Sequence, residues 1–95
     1  MNVQFVMTVV DAFTITGRGI VVLPGVPISC FDGYMLPRLV ELRFANGTMK
    51  LVAAGFSIPR VTSLSLEYQF FCFLPNQIKE SVPIGTEVWA SFEPE

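Results

Sequence analysis

The sequence predicts an all-β protein, a small β-barrel of six or seven strands in a single domain that covers residues 1–95. Apolar and polar residues alternate with a period of two in several segments, which is typical of strands with one buried face. Glycine-containing turn sequences separate these segments, at Gly17-Arg18-Gly19 and at Asn46-Gly47. No window of eleven residues shows a helical stripe with caps, so we expect no helix in the core.

The first predicted strand is long and has one solvent-exposed face. Its odd positions from residue 3 to residue 15 are mostly apolar, and polar residues such as Gln4, Thr8 and Thr14 alternate with them. Gly17 and Gly19 then let the chain turn back at once, because glycine reaches positive φ without steric cost. The second strand runs from Ile20 to Leu23 and ends at Pro24-Gly25. Residues 24–38 hold three prolines and two glycines without periodicity, and they predict a connecting loop.

The second hairpin is predicted at Asn46-Gly47, the strongest short hairpin signal in the chain. A two-residue turn there fixes the register and places three apolar pairs on one face. These pairs are Phe44 with Met49, Leu42 with Leu51, and Val40 with Ala53. The opposite face then carries the charged side chains of Glu41, Arg43 and Lys50.

The last two predicted strands carry much of the aromatic content. The fifth strand places its even-numbered residues from Leu64 to Leu74 on one face. Phe71 and Phe73 lie on the opposite face, where they are either covered by the following loop or form an exposed patch. The final strand alternates apolar residues at 88, 90 and 92 with Trp89 on its other side.

Composition favours a partner protein over a nucleic acid. The chain is 52% hydrophobic and 15% charged, whereas an ordinary globular domain has roughly 45–50% apolar and about 25% charged residues. We expect some of this excess to remain on the surface and to support a protein partner or a homo-oligomer. The net charge of −2 is spread without runs, so the clustered cations that bind a phosphate backbone are absent from the sequence.

The sequence predicts a cytoplasmic protein without a membrane partner. No basic residue precedes the first apolar segment, so we expect no signal peptide, and proline and glycine interrupt every longer uncharged stretch. Cys30 and Cys72 both lie in apolar surroundings. We expect them to be reduced, buried thiols rather than a disulfide.

The available side chains argue against catalysis. The chain has no histidine, which excludes Ser-His and Cys-His nucleophile pairs and most zinc sites. Its carboxylates are isolated along the sequence, so we expect no enzyme activity, no metal and no cofactor. Four residues are candidates for partner binding. They are Arg18, whose neighbouring glycine amides could help it hold an anion, and the aromatic residues Phe71, Phe73 and Trp89.

The first hairpin also carries a resemblance to a known family. The stretch Asp11-Ala12-Phe13-Thr14-Ile15-Thr16-Gly17-Arg18-Gly19-Ile20-Val21-Val22 resembles the opening of the second domain of elongation factor Tu and related translational GTPases. Val82-Pro83-Ile84-Gly85 looks like that domain's closing segment. The resemblance implies a closed Greek-key barrel like domain II of translation proteins. Because the chain lacks Gly-x-x-x-x-Gly-Lys-Ser/Thr, it does not extend to nucleotide hydrolysis.

Together these observations predict a non-catalytic cytosolic binding module, used for protein–protein interaction or self-association. An RNA- or ribosome-associated accessory factor is the first alternative. It would use the chain's dispersed cations, namely Arg18, Arg38, Arg43, Arg60 and Lys50. A barrel that holds a flavin or another small apolar ligand in its mouth is the second alternative.

Overall fold

The computed structural model describes residues 3–57 and 69–94, which form two antiparallel four-stranded sheets without an α-helix in these ranges. The strands are β1 (Val3–Thr8), β2 (Asp11–Ile15), β3 (Gly19–Pro27), β4 (Leu39–Arg43), β5 (Met49–Ala53), β6 (Gly55–Ser57), β7 (Gln69–Pro75) and β8 (Glu87–Ser91). The first sheet has the order β1-β8-β4-β5 and the second has the order β2-β3-β7-β6. Single 3-10 turns lie at Ile28–Phe31 and Lys79–Ser81. The predicted all-β class is confirmed.

The predicted first strand is divided between the two sheets. The Val9 backbone bonds to Thr86 and Gly85 beside β8, whereas the Val10 amide donates to the Leu23 carbonyl in β3 at 2.8 Å. The side of the chain that faces the core changes at this corner, so Ala12 is buried and Phe13 is exposed. A bulge between residues 5 and 7 reverses the alternation once more within β1. The prediction of one continuous face of odd-numbered residues is therefore wrong.

The first hairpin is confirmed, with β2 and β3 paired from Asp11 opposite Leu23 to Ile15 opposite Gly19. The Arg18 amide closes the turn by donating to the Ile15 carbonyl at 2.9 Å, and Gly17 has a φ of 76°. β3 continues past its predicted end to Pro27, because its register against β7 resumes after an irregularity between residues 22 and 26. The strand therefore includes four residues of the predicted loop.

The second hairpin exists, but its register differs by one residue from the predicted one. The Phe44 amide donates to the Thr48 carbonyl at 2.9 Å and the Gly47 amide donates to the Phe44 carbonyl at 3.0 Å, which leaves a three-residue loop. The Asn46 side chain accepts from the Thr48 amide at 3.0 Å and helps to hold this turn. Leu51 consequently lies opposite Glu41. A one-residue shift moves each apolar residue of β5 to the other side of the sheet.

The core lies between the two sheets and is closed at one end by aromatic side chains. Its buried members are Met7, Val9, Ala12, Ile20, Val22, Val26, Phe31, Val40, Leu42, Val52, Phe56, Cys72, Leu74, Val82, Val88 and Ala90. The Phe31 ring lies 5.2 Å from that of Phe56, 5.5 Å from that of Phe70 and 5.3 Å from that of Phe92, measured between centroids. The predicted loop 24–38 thus supplies a central packing residue.

The later strands agree with the sequence where the structure describes them. Cys72 and Leu74 are fully buried on one side of β7, and Phe71 and Phe73 are only partly buried on the other side. Trp89 lies on the opposite side of β8 from the buried residues 88 and 90. The part of the predicted fifth strand before residue 69 lies outside the described residues.

The cysteines are unpaired, as predicted, but only one of them is buried. Cys30 is exposed because it lies in the 3-10 turn, where Phe31 instead points into the core. The prediction of two buried thiols is wrong for Cys30. Burial raises the pKa of the Cys72 thiol from 9.0 to about 12. In the described ranges no helix is long and apolar enough to cross a bilayer.

We expect the free energy of unfolding to fall as the pH rises from 9.0 towards about 12. The first value is the ordinary pKa of a cysteine thiol, and the second is the pKa of the buried Cys72 thiol. Above the first value the unfolded thiol loses its proton while the buried thiol keeps it, so rising pH favours the unfolded state, by roughly 1 kcal/mol per pH unit. Urea denaturation between about pH 8 and about pH 10 measures this slope. Cys72→Ala should remove this contribution, and Cys30→Ala should retain it. Equal slopes in the two variants would contradict the assignment.

Candidate functional site

The outer side of the first sheet carries a cluster of apolar and charged side chains around Trp89. Trp89 lies opposite Phe5 of β1 and Glu41 of β4, and Glu41 lies opposite Leu51 of β5. Directly opposed residues of antiparallel strands project on the same side of a sheet. We call this surface the Trp89 face, and it consists of Phe5, Leu39, Glu41, Arg43, Met49, Leu51, Glu87 and Trp89.

Polar contacts at the centre of the Trp89 face are made within the face itself. The Arg43 guanidinium lies 4.0 Å from the centroid of the Trp89 ring, and its Nε donates to Glu41 Oε2 at 2.5 Å. The indole Nε1 of Trp89 donates to Glu87 Oε1 at 2.9 Å. The Phe5 ring contacts the indole edge-on, with 5.6 Å between centroids. These contacts fix the indole in one orientation and leave the surrounding apolar side chains in contact with solvent.

The apolar members of the Trp89 face are unusually exposed for their type. Leu51 is 66% exposed, Met49 is 61% exposed, Leu39 is 53% exposed and Phe5 is 49% exposed. Exposed apolar side chains on both sides of a tryptophan and an arginine have the composition of the centre of a protein interface. The arrangement can therefore bind an apolar surface, with Trp89 and Arg43 as rigid central contacts.

A groove of about 330 Å³ adjoins the Trp89 face at Leu39. The exposed side chains of Met35 and Leu36 line it, and Arg38 and Glu93 supply one charge of each sign. The groove is therefore mainly apolar and is large enough for one bulky side chain. It extends the Trp89 face towards the segment that joins β3 to β4.

The structure places Phe71 and Phe73 on the second sheet, away from Trp89. Phe73 lies opposite Val21 of β3, and Val21 lies opposite the exposed Phe13 of β2. These residues form a separate apolar row on the outer side of that sheet. The aromatic candidates from the sequence thus belong to two surfaces rather than one.

Arg18 lies at the tip of the first hairpin and belongs to neither surface. Its carbonyl accepts from the Asn76 amide at 2.9 Å, which joins the turn to the end of β7. Its side chain is exposed, and Asp11 lies at the opposite end of the same hairpin. The local contacts therefore give the Arg18 backbone a structural role in joining the hairpin to β7.

The cations that would contact RNA are not brought together among the described residues. Arg43 is engaged by Glu41 and Trp89, whereas Lys50 lies opposite Leu42 and thus on the other side of the sheet. Arg38 lines the groove, and Arg60 lies outside the described residues.

A second groove, of about 410 Å³, lies between the β4–β5 turn and the segment before β8. Three of its polar side chains bond within the chain, since Asn46 accepts from Thr48 and the Ser81 hydroxyl donates to the Ile78 carbonyl at 2.7 Å. Over residues 3–57 and 69–94 there is no group of three or more His, Cys, Asp or Glu side chains that could hold a metal ion. The Trp89 face is accordingly the best-defined candidate site.

Of the four candidate residues, only Trp89 lies on the Trp89 face, and sequence reasoning missed its neighbours there. Alternation with polar residues predicts that Phe5 and Leu51 lie on the apolar faces of their strands, but both are exposed. The bulge in β1 and the three-residue loop after β4 move them outward. The excess of apolar residues was the one sequence signal for such a surface.

Comparisons of the chain with protein-family models, curated proteins and solved structures find no match.

Proposed function

We propose that this protein is a non-catalytic cytosolic binding module that contacts a protein partner through the Trp89 face. The observation that carries the proposal is the set of exposed apolar residues aligned around Trp89 and Arg43. Tryptophan and arginine dominate the energetics of protein interfaces, and exposed apolar residues around them exclude water when a partner binds. The function is recognition, and the sheet supplies a rigid platform for it.

We further propose that the two sheets close into a Greek-key barrel like the second domain of translation factors. Two links support this proposal. The chain passes from β1 into β2 at residues 9 and 10, and from β5 into β6 at Ala54, whose amide donates to the Arg38 carbonyl at 2.9 Å. The paired strands β1, β8, β4 and β5, the link to β6, and the paired strands β6, β7, β3 and β2 then form a circuit that returns to the first link. In such a barrel the Trp89 face is an outer wall.

Capture from the host lysate tests the proposed function with a matched pair of variants. Leu51→Glu places a charge on the Trp89 face, whereas Ile84→Glu makes a similar change at an exposed site on another part of the surface. We expect Leu51→Glu to lose the bound protein by about tenfold or more, because a buried unpaired charge opposes association. Ile84→Glu should retain it. Quantitative mass spectrometry of the captured protein measures both.

Equal capture by the two variants would contradict the proposed surface, provided that both unfold at the same temperature as the parent chain. Capture of ribosomes that declines steeply with added salt would instead favour the RNA-associated alternative, because phosphate contacts weaken as counterions compete.

A further inference from the structure

We infer that the Trp89 face binds a short extended segment of its partner, in which large apolar side chains flank a lysine or arginine. This inference rests on the proposed function and names the chemistry of the partner.

The Trp89 face has the length of a short extended segment. Five-residue strands in a four-stranded sheet cover about 17 Å along the strands and about 14 to 19 Å across them. An extended segment of about five or six residues matches this length.

The charge balance at Trp89 favours a cationic segment. The face holds one guanidinium, on Arg43, and two carboxylates, on Glu41 and Glu87. Arg43 is already stacked on the indole and bonded to Glu41, and Glu87 accepts from the indole nitrogen. A carboxylate offers about four acceptor positions, so both glutamates keep capacity for a further donor. Arg38 and Glu93 at the adjoining groove cancel each other in charge.

A lysine or arginine of the partner can therefore bind beside the indole while its apolar neighbours cover Leu51 and Met49. The groove of about 330 Å³ next to Leu39 can receive one of these apolar side chains. Phosphate-rich ligands fit this surface poorly, because the two carboxylates outnumber the single cation. The excess of carboxylates also favours binding of a basic segment over an acidic one.

Panning of a displayed random heptapeptide library against the full chain tests this inference. We expect enriched peptides to combine large apolar residues with at least one lysine or arginine. Their affinity should fall about tenfold or more with Trp89→Ala, which removes the central aromatic residue, and with Leu51→Glu, which adds an unpaired charge to the covered surface. Glu87→Gln keeps an acceptor for the indole but removes the charge, and it should weaken binding roughly threefold. Glu80→Gln, the same change at an exposed position outside the face, should leave binding unchanged.

The outcomes separate the inference from the proposed function. Enriched peptides that are acidic or uncharged but depend on Trp89 would overturn the inference and leave the proposed function standing. Peptides that ignore both Trp89→Ala and Leu51→Glu would contradict both. The absence of any enriched sequence, or dimerisation of the chain through Leu51, would overturn the inference as well. Leu51→Glu keeps the test decisive if Trp89→Ala fails to fold, because Leu51 is largely exposed.

Discussion

Replacement of Gly19 by alanine should lower the free energy of unfolding by roughly 3 kcal/mol or more, or prevent folding altogether. Gly19 begins β3 with a φ of 149°, and it lies opposite Pro75 of β7. A Cβ atom at this position would lie 2.3 Å from the Leu74 carbonyl oxygen and 2.9 Å from the Pro75 Cα atom. Both obstacles are backbone atoms, so a change of side-chain rotamer cannot relieve the contact. The two central strands of the second sheet would have to separate there.

Gly17→Ala provides the matched control for Gly19→Ala. Gly17 also has a positive φ, 76°, but nothing lies within 4 Å of a Cβ atom built on it. This variant should lose only about 1 to 2 kcal/mol, the usual cost of a left-handed backbone for an L-residue. Urea denaturation followed by circular dichroism measures both values. Equal losses would show that the close approach of β3 to β7 is not what requires a glycine.

Replacement of Phe31 by alanine should lower the free energy of unfolding by about 3 to 5 kcal/mol, the range for truncation of a buried phenylalanine. The Phe31 ring contacts the rings of Phe56, Phe70 and Phe92, which come from two other strands and from the segment after β8. Its removal leaves a cavity bordered by three aromatic side chains, which cannot close together without moving their strands. The loss is a large part of the stability of a domain of this size.

Phe13→Ala is the control for Phe31→Ala, because it removes the same atoms from a side chain that is 56% exposed. We expect its effect to be well below half of that of Phe31→Ala. Thermal unfolding of both variants measures the difference. If the two variants lost equal stability, Phe31 would not be the main packing residue at this end of the core.

The elements of the fold were largely predictable from local residue patterns. Alternation identified β4, β7 and β8, and glycine positions identified both hairpins, since turn conformations depend on residues close in sequence. Phe31 was missed because it lies in an aperiodic segment rich in proline and glycine. Nothing in the local sequence indicates that its ring joins two strands and the chain end in three dimensions.

The candidate site was less predictable, because it depends on register. Asn46-Gly47 suits a two-residue turn, but it also suits the three-residue loop in which Gly47 has a φ of 88° and Asn46 bonds to Thr48. One residue of difference moves Leu51 from the core to the surface. The bulge in β1 does the same for Phe5. Both changes arise from pairing between strands, which residue periodicity does not reveal.

Acrylamide quenching of Trp89 fluorescence in the complex with the captured partner tests the central claim most directly. Trp89 is the sole tryptophan of the chain, so a partner that lacks tryptophan leaves its emission unambiguous. If the partner covers the Trp89 face, the emission should shift to shorter wavelength and the quenching constant should fall about twofold or more, as the partly exposed indole loses contact with water. A stable complex in which the emission and the quenching of Trp89 are unchanged would contradict the account.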